Sequence, residues 1–172
     1  MAPDRPDGDD ADSARRGAKQ GRVFLVVVDN TSEMSVALRF ACGRARHTGG
    51  RVALLHVIEP NDFKYWMGVG DLMRKDARAE AEKLLQRHAA KVQEWSGRTP
   101  ILYLREGAQR ETLLKLIAEE PQISILVLGA NPGSGGPGPL VQTLTGKMIG
   151  KLRIPVTVVP GNLSDEDVDA IA

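Results

Sequence analysis

Two segments of this 172-residue chain carry residue types suited to holding a ligand. One is Asp29, which directly follows the apolar run Val23–Val28 and precedes Asn30-Thr31-Ser32. A carboxylate there has two uses that are not exclusive. It can cap the helix that follows, a role Ser32 can share, or it can accept hydrogen bonds from a ribose or an amino group. The other segment is Gly129-Ala130-Asn131-Pro132-Gly133-Ser134-Gly135-Gly136-Pro137-Gly138, followed by Pro139. Glycines let backbone N–H groups approach an anion that a Cβ would hold off, and a helix start behind them adds partial positive charge. The alternative reading is a flexible solvent loop with no ligand.

Other chemical signatures fail on context. Gly133-Ser134-Gly135-Gly136-Pro137-Gly138 matches G-x-G-x-x-G formally, but it follows the fourth strand rather than the first, and no acidic residue lies near Val158 to meet a ribose. A P-loop is absent, because Met148 follows Gly146-Lys147 and Val141 stands where the first glycine belongs. Ser134-Gly135-Gly136 is similar to the pyrophosphatase loop of adenylating enzymes, but there it would follow strand one. His47, His56 and His88 lack metal-ligand spacing, and Cys42 has no base near it in sequence. His56, within an apolar strand, reads as a hydrogen-bonded core histidine, and Cys42 as a small core residue. With no base, metal site or nucleophile constellation, catalysis is not expected; slow ATP hydrolysis dependent on Asp29 is the hydrolase reading that remains.

These residues need elements to position them, and the apolar runs supply the elements. Val23–Val28, Val52–Ile58, Ile101–Leu104, Ile123–Leu128 and Val156–Val159 read as five strands, the continuous β-branched ones covered on both faces. Between them lie helical patterns over Glu33–Arg46, Asp71–Trp95 and Gln109–Glu119, and a fourth beginning at Pro139 with Leu140, Leu144, Met148 and Leu152 on one stripe. Alternating strands and helices predict an α/β fold with a parallel sheet flanked by helices on both faces, and in such sheets ligands bind beyond the carboxyl ends where the winding reverses. The domain spans residues 22–161, between a disordered N-terminal arm over 1–21 and an acidic C-terminal tail over 162–172 that is either ordered or frayed. The segment Glu59–Gly70, with Trp66 beside Tyr65 and Met67, reads as a loop packed on the domain or lidding a pocket.

Composition narrows the partners. Twenty-three basic residues against 22 acidic ones leave a net charge of +1, so neither nucleic acid nor an anionic membrane is expected. The single cysteine and the lack of a secretory h-region or a long apolar span predict a cytoplasmic protein.

The chain resembles the universal stress protein family from about Arg22 to Gly161. The likeness is carried by Val26-Val27-Val28-Asp29 leading into Asn30-Thr31-Ser32-Glu33, by Ala53-Leu54-Leu55-His56-Val57-Ile58, and by the glycine-rich loop, its helix and Ile154-Pro155-Val156-Thr157-Val158-Val159. The resemblance implies an open five-stranded parallel sheet in the order 3-2-1-4-5, of the adenine nucleotide alpha hydrolase-like type. It also implies homodimers and, in nucleotide-binding members, a G-x2-G-x9-G-[S/T] motif after strand four. Asp29 and the backbone of Val57 would then face adenosine.

Aligned from Gly129, the motif has its first glycine and its final hydroxyl, Thr143, but Pro132 and Gln142 replace the second and third glycines. Pro132 lacks the N–H that would cradle a phosphate, the Gln142 amide can donate in its place, and Gly133 belongs to the reshaped loop. The expected ligand set is therefore Asp29, Val57, Gly129, Gly133, Gln142 and Thr143, holding ATP or another adenine nucleotide. The expected dimer joins the strand Val156–Val159 to its copy, because that strand has no gatekeeping charge; a C-terminal tail laid over the edge is the alternative. A nucleotide-independent dimer acting through protein partners is the second functional reading.

Overall fold

The computed structural model describes residues 21–60 and 70–172. The expectations for the N-terminal arm and for the loop containing Trp66 lie outside those residues. The elements follow in the order β1 (Val23–Val27), α1 (Ser32–Thr48), β2 (Arg51–Ile58), α2 (Gly70–Ser96), β3 (Ile101–Glu106), α3 (Gln109–Glu119), β4 (Ile123–Ala130), α4 (Pro139–Thr145), a 3-10 turn (Ile149–Lys151), β5 (Val156–Pro160) and α5 (Asp165–Ile171). All strand pairings are parallel, in the order β3-β2-β1-β4-β5.

The central strands are apolar throughout because both their faces are covered. Along β1, Val23, Leu25 and Val27 point into a core completed by Leu113, Leu116 and Ile117 of α3 and by Val141 and Leu144 of α4. Phe24 and Val26, and Val28 just beyond the strand, point the other way, onto Ala37, Leu38 and Ala41 of α1 and Leu84, Leu85 and Val92 of α2. The first two crossovers thus lie on one face and the last two on the other. The winding reverses between β1 and β4, whose carboxyl ends diverge into α1 and the glycine-rich segment.

The helix that begins at Pro139 is shorter than its apolar stripe suggests. Leu140, Leu144, Met148 and Leu152 all pack toward the same core, but α4 ends at Thr145 and the chain continues through a turn and the Ile149–Lys151 3-10 segment. Gly146 and Gly150 interrupt the stretch, and glycine lowers helix stability by about 1 kcal/mol relative to alanine. Strand β4 also runs two residues further than its apolar run, since Gly129 and Ala130 pair with Val159 and Pro160. The acidic C-terminus is ordered: α5, capped by Ser164, packs on α1, where Arg39 makes a two-pronged contact with Asp169 at 2.8 and 2.6 Å.

Candidate functional site

The backbone leaves β1 through Val28, whose N–H still reaches Leu55 O at 2.7 Å. His56 Nδ1 donates to Val28 O at 2.8 Å, which fixes the proton on that nitrogen because a carbonyl only accepts. His56 is therefore a half-buried clamp on the exit of β1. Asp29 follows, and its Oδ1 accepts from the Thr31 N–H at 2.8 Å and from Thr31 Oγ1 at 2.6 Å. Thr31, rather than Asp29 or Ser32, is the N-cap of α1, accepting from the Met34 N–H at 3.3 Å. Asp29 holds that cap in place with one oxygen. Among the described residues Oδ2 makes no hydrogen bond, so it remains available as an acceptor.

Gly129 faces Asp29 across the reversal point. A Cβ built there would run into Glu33 O and come within 3.0 Å of Met34 N. Glycine at this position lets the end of β4 lie directly against the first turn of α1. Between the two strand ends lies a cavity of about 280 Å³, lined by Asp29, Thr31, Glu33, Gln109, Gly129 and the Pro137–Val141 segment. A larger cavity of about 490 Å³ borders Gly21, Arg51, Pro121 and Ser124. It lies at the amino ends of the strands, opposite to where parallel sheets bind ligands.

Val57, expected to offer its backbone, does not line the cavity between the two strand ends. The Leu55 carbonyl faces β1, and the Ile58 carbonyl accepts from Gly107 on the β3 side. Strand alternation therefore turns the Val57 N–H and C=O toward the β1 side, beyond Val27, the last β1 residue in the ladder. The Val57 side chain is buried.

Gly133, Gln142 and Thr143 do not line this cavity, and neither does Pro132. The loop turns back on itself: the Asn131 N–H donates to Pro137 O at 3.2 Å, Gly133 to Asn131 Oδ1 at 2.7 Å, and Gly136 to Gly133 O at 3.3 Å. Gly136, at φ +88°, lies so near Gln142 that a Cβ would meet Nε2 at 2.8 Å. The segment that does reach the cavity, Pro137-Gly138-Pro139, offers one N–H in three residues. Glu33 and Asp29 together give the cleft an acidic lining, which suits hydroxyl and amino donors better than phosphate.

Sequence reasoning missed Thr31, Glu33, Gln109 and Gly138 as lining residues. Glu33 and Thr31 had a signal, since both sit in the first turn after β1. Gln109 opens α3, where its N–H is tied to Glu59 Oε1 at 2.9 Å, and nothing local connects it to β1. Cys42 is fully buried and burial pushes its thiol up to about 12, so thiolate chemistry is suppressed. Among the described residues no cluster of three or more His, Cys, Asp or Glu is arranged to hold a metal, and no helix is long and apolar enough to cross a membrane.

Comparison with known proteins agrees with this architecture. The model of the Universal stress protein family matches residues 21–160. No curated protein matches the chain. Among solved structures, a universal stress protein from Lactobacillus plantarum is similar at TM-score 0.65 and 16% identity, covering 81% of this chain and 98% of that one. A universal stress protein in complex with cAMP is similar at TM-score 0.56 and 14% identity, over 84% and 100% of the two chains. A universal stress protein family protein from Arabidopsis thaliana with AMP bound is similar at TM-score 0.56 and 18% identity, over 84% and 94%. At such identities the structural likeness bears on the fold.

Proposed function

The chain belongs to the universal stress protein family, and from that premise we propose that it is a homodimeric stress-response regulator, not an enzyme, whose cleft binds an adenine nucleotide. The observation that carries this reading is the cavity at the winding reversal, which the Asp29 carboxylate and the Gly129 backbone both line; the free edge of β2 at Val57 lies beyond the last residue of the β1 ladder, outside that lining. An adenine base hydrogen-bonds to a free strand edge as another strand would, and a ribose presents hydroxyls to a carboxylate. The AMP and cAMP complexes of similar proteins support the choice of an adenine ligand.

The cavity of about 280 Å³ is at the small end of ligand sites, which run from roughly 300 to 1,000 Å³. Together with the acidic lining and the two prolines at its mouth, this favours recognition of base and ribose over a phosphate chain. AMP is therefore expected to bind about as tightly as ATP. Isothermal titration checks it: Asp29→Asn, which can still accept from Thr31, should weaken AMP by about tenfold. An absence of heat at millimolar AMP, or an unchanged affinity in Asp29→Asn, would remove the ligand from this account.

The dimer is proposed through β5. Its outer edge is free of charge from Val156 to Val159, Val158 is 37% exposed, and the C-terminal segment packs as α5 on α1. The self-bonded Asn131–Gly136 loop favours the second reading, a dimer that works through protein partners without nucleotide. Nucleotide retained through gentle purification and detected by mass spectrometry contradicts that reading.

A further inference from the structure

A phosphate is held in many parallel α/β sheets by a helix amino end and by loop N–H groups. In this cleft most of those donors are already engaged. Thr31 Oγ1 accepts from the Met34 N–H at 3.3 Å, and the Glu33 carboxylate stands in the first turn of α1, where it offsets the positive end of the helix dipole. In the glycine-rich segment the N–H groups of Asn131, Gly133 and Gly136 donate to Pro137 O, Asn131 Oδ1 and Gly133 O. Among the described residues no lysine, arginine or histidine lines the cavity, whereas two carboxylates do, Asp29 and Glu33.

Glu33 is also fixed in place. A Cβ built on Gly129 would run into the Glu33 carbonyl, and one built on Gly161 would meet Glu33 Cβ at 2.5 Å. Gly161 is held in turn by its N–H, which donates to Ala130 O at 2.9 Å. Two glycines, one at the end of β4 and one just past β5, thus admit the first turn of α1 and set Glu33 beside the cavity it lines. Its half-buried side chain forms no salt bridge among the described residues and accepts only from Ser32 Oγ, at 3.3 Å.

We propose that Glu33 is a specificity-determining residue of the cleft, and that the class it selects is the uncharged nucleoside over its phosphates. This selectivity presupposes the adenine-binding reading above. Ribose hydroxyls and the adenine amino group are donors, so a nucleoside meets complementary acceptors in Asp29 and Glu33. A 5′-phosphate brings negative charge toward the same carboxylates with no cation between them, and only solvent at the cavity mouth reduces the repulsion.

The test is isothermal titration of the full chain with adenosine and with AMP at about pH 7.5, where the phosphate is a dianion. It is repeated in Glu33→Gln, which keeps the size of the side chain and removes its charge. A second variant, Glu94→Gln, removes an equal charge from an exposed position on α2 outside the cleft lining. The native chain should bind adenosine about fivefold more tightly than AMP. In Glu33→Gln the two affinities should come within about twofold of each other, while Glu94→Gln keeps the native ratio. Raising the ionic strength should narrow the native gap, because screening weakens the repulsion, and that readout needs no variant. Matching circular dichroism spectra verify that both variants fold. AMP bound as tightly as adenosine by the native chain, or a ratio unmoved in Glu33→Gln, overturns the proposal and leaves the adenine-binding reading standing. No heat with either ligand at millimolar concentration removes that reading and the selectivity with it.

Discussion

Asp29 illustrates how one side chain divides its work. Oδ1 holds the Thr31 cap, and the other oxygen, which makes no hydrogen bond among the described residues, is the one the proposed ligand would meet. The four residues Asp29-Asn30-Thr31-Ser32 can all cap a helix, so local sequence could not choose between them; the path of the chain leaving β1 selects Thr31. His88, buried on α2, carries a consequence for stability. Burial first, then the charges of Lys91 and Arg87, hold its folded pKa below the unfolded value of roughly 6.5, so the unfolded chain binds a proton that the native one resists. The associated stability is complete above roughly pH 6.5 and is lost as pH falls through the window down to the folded pKa. Urea midpoints measured downward from pH 7 should therefore decline, and His88→Gln should flatten that decline. An unchanged slope in the variant contradicts the assignment. That His88 Nδ1 is buried with no hydrogen-bond partner among the described residues was not legible, since a histidine on a helix face gives no sign of what lies opposite it.

At the scale of elements, the close contact between β4 and α1 depends on Gly129. Replacing it with alanine drives a methyl group onto the Glu33 carbonyl. Gly129→Ala should cost about 1–3 kcal/mol, as overpacking does, seen as a lowered urea midpoint. A midpoint equal to wild type would mean that the contact relaxes freely. The strands were legible because β-branched apolar runs bounded by turn residues have few other uses. The extent of α4 was not, because its four-residue apolar stripe continues through Gly146 and Gly150 while the helix stops at Thr145. The register of the glycine-rich loop was equally hidden. Alignment with a motif placed Gln142 and Thr143 in the ligand set, and Gly133 joined them as part of a reshaped loop, whereas Asn131 folds the loop back and Gly138 lines the cavity.

For the whole molecule, function depends on which strand ends are neighbours. Five apolar runs establish a parallel sheet but leave its order open; the order 3-2-1-4-5 came from resemblance, and it brings Asp29 beside Gly129. The same order makes β5 an edge. Val158→Asp should convert the proposed dimer to a monomer by light scattering, with its circular dichroism retained; a wild-type mass that is already monomeric, or a variant that stays dimeric, contradicts the β5 interface. The most direct test of the ligand cleft is a backbone amide NMR titration with AMP. This account predicts saturable shifts concentrated at Asp29, Thr31, Val57, Gly129 and Gly138. Shifts confined to the amino ends of the strands, or none at millimolar AMP, would contradict it.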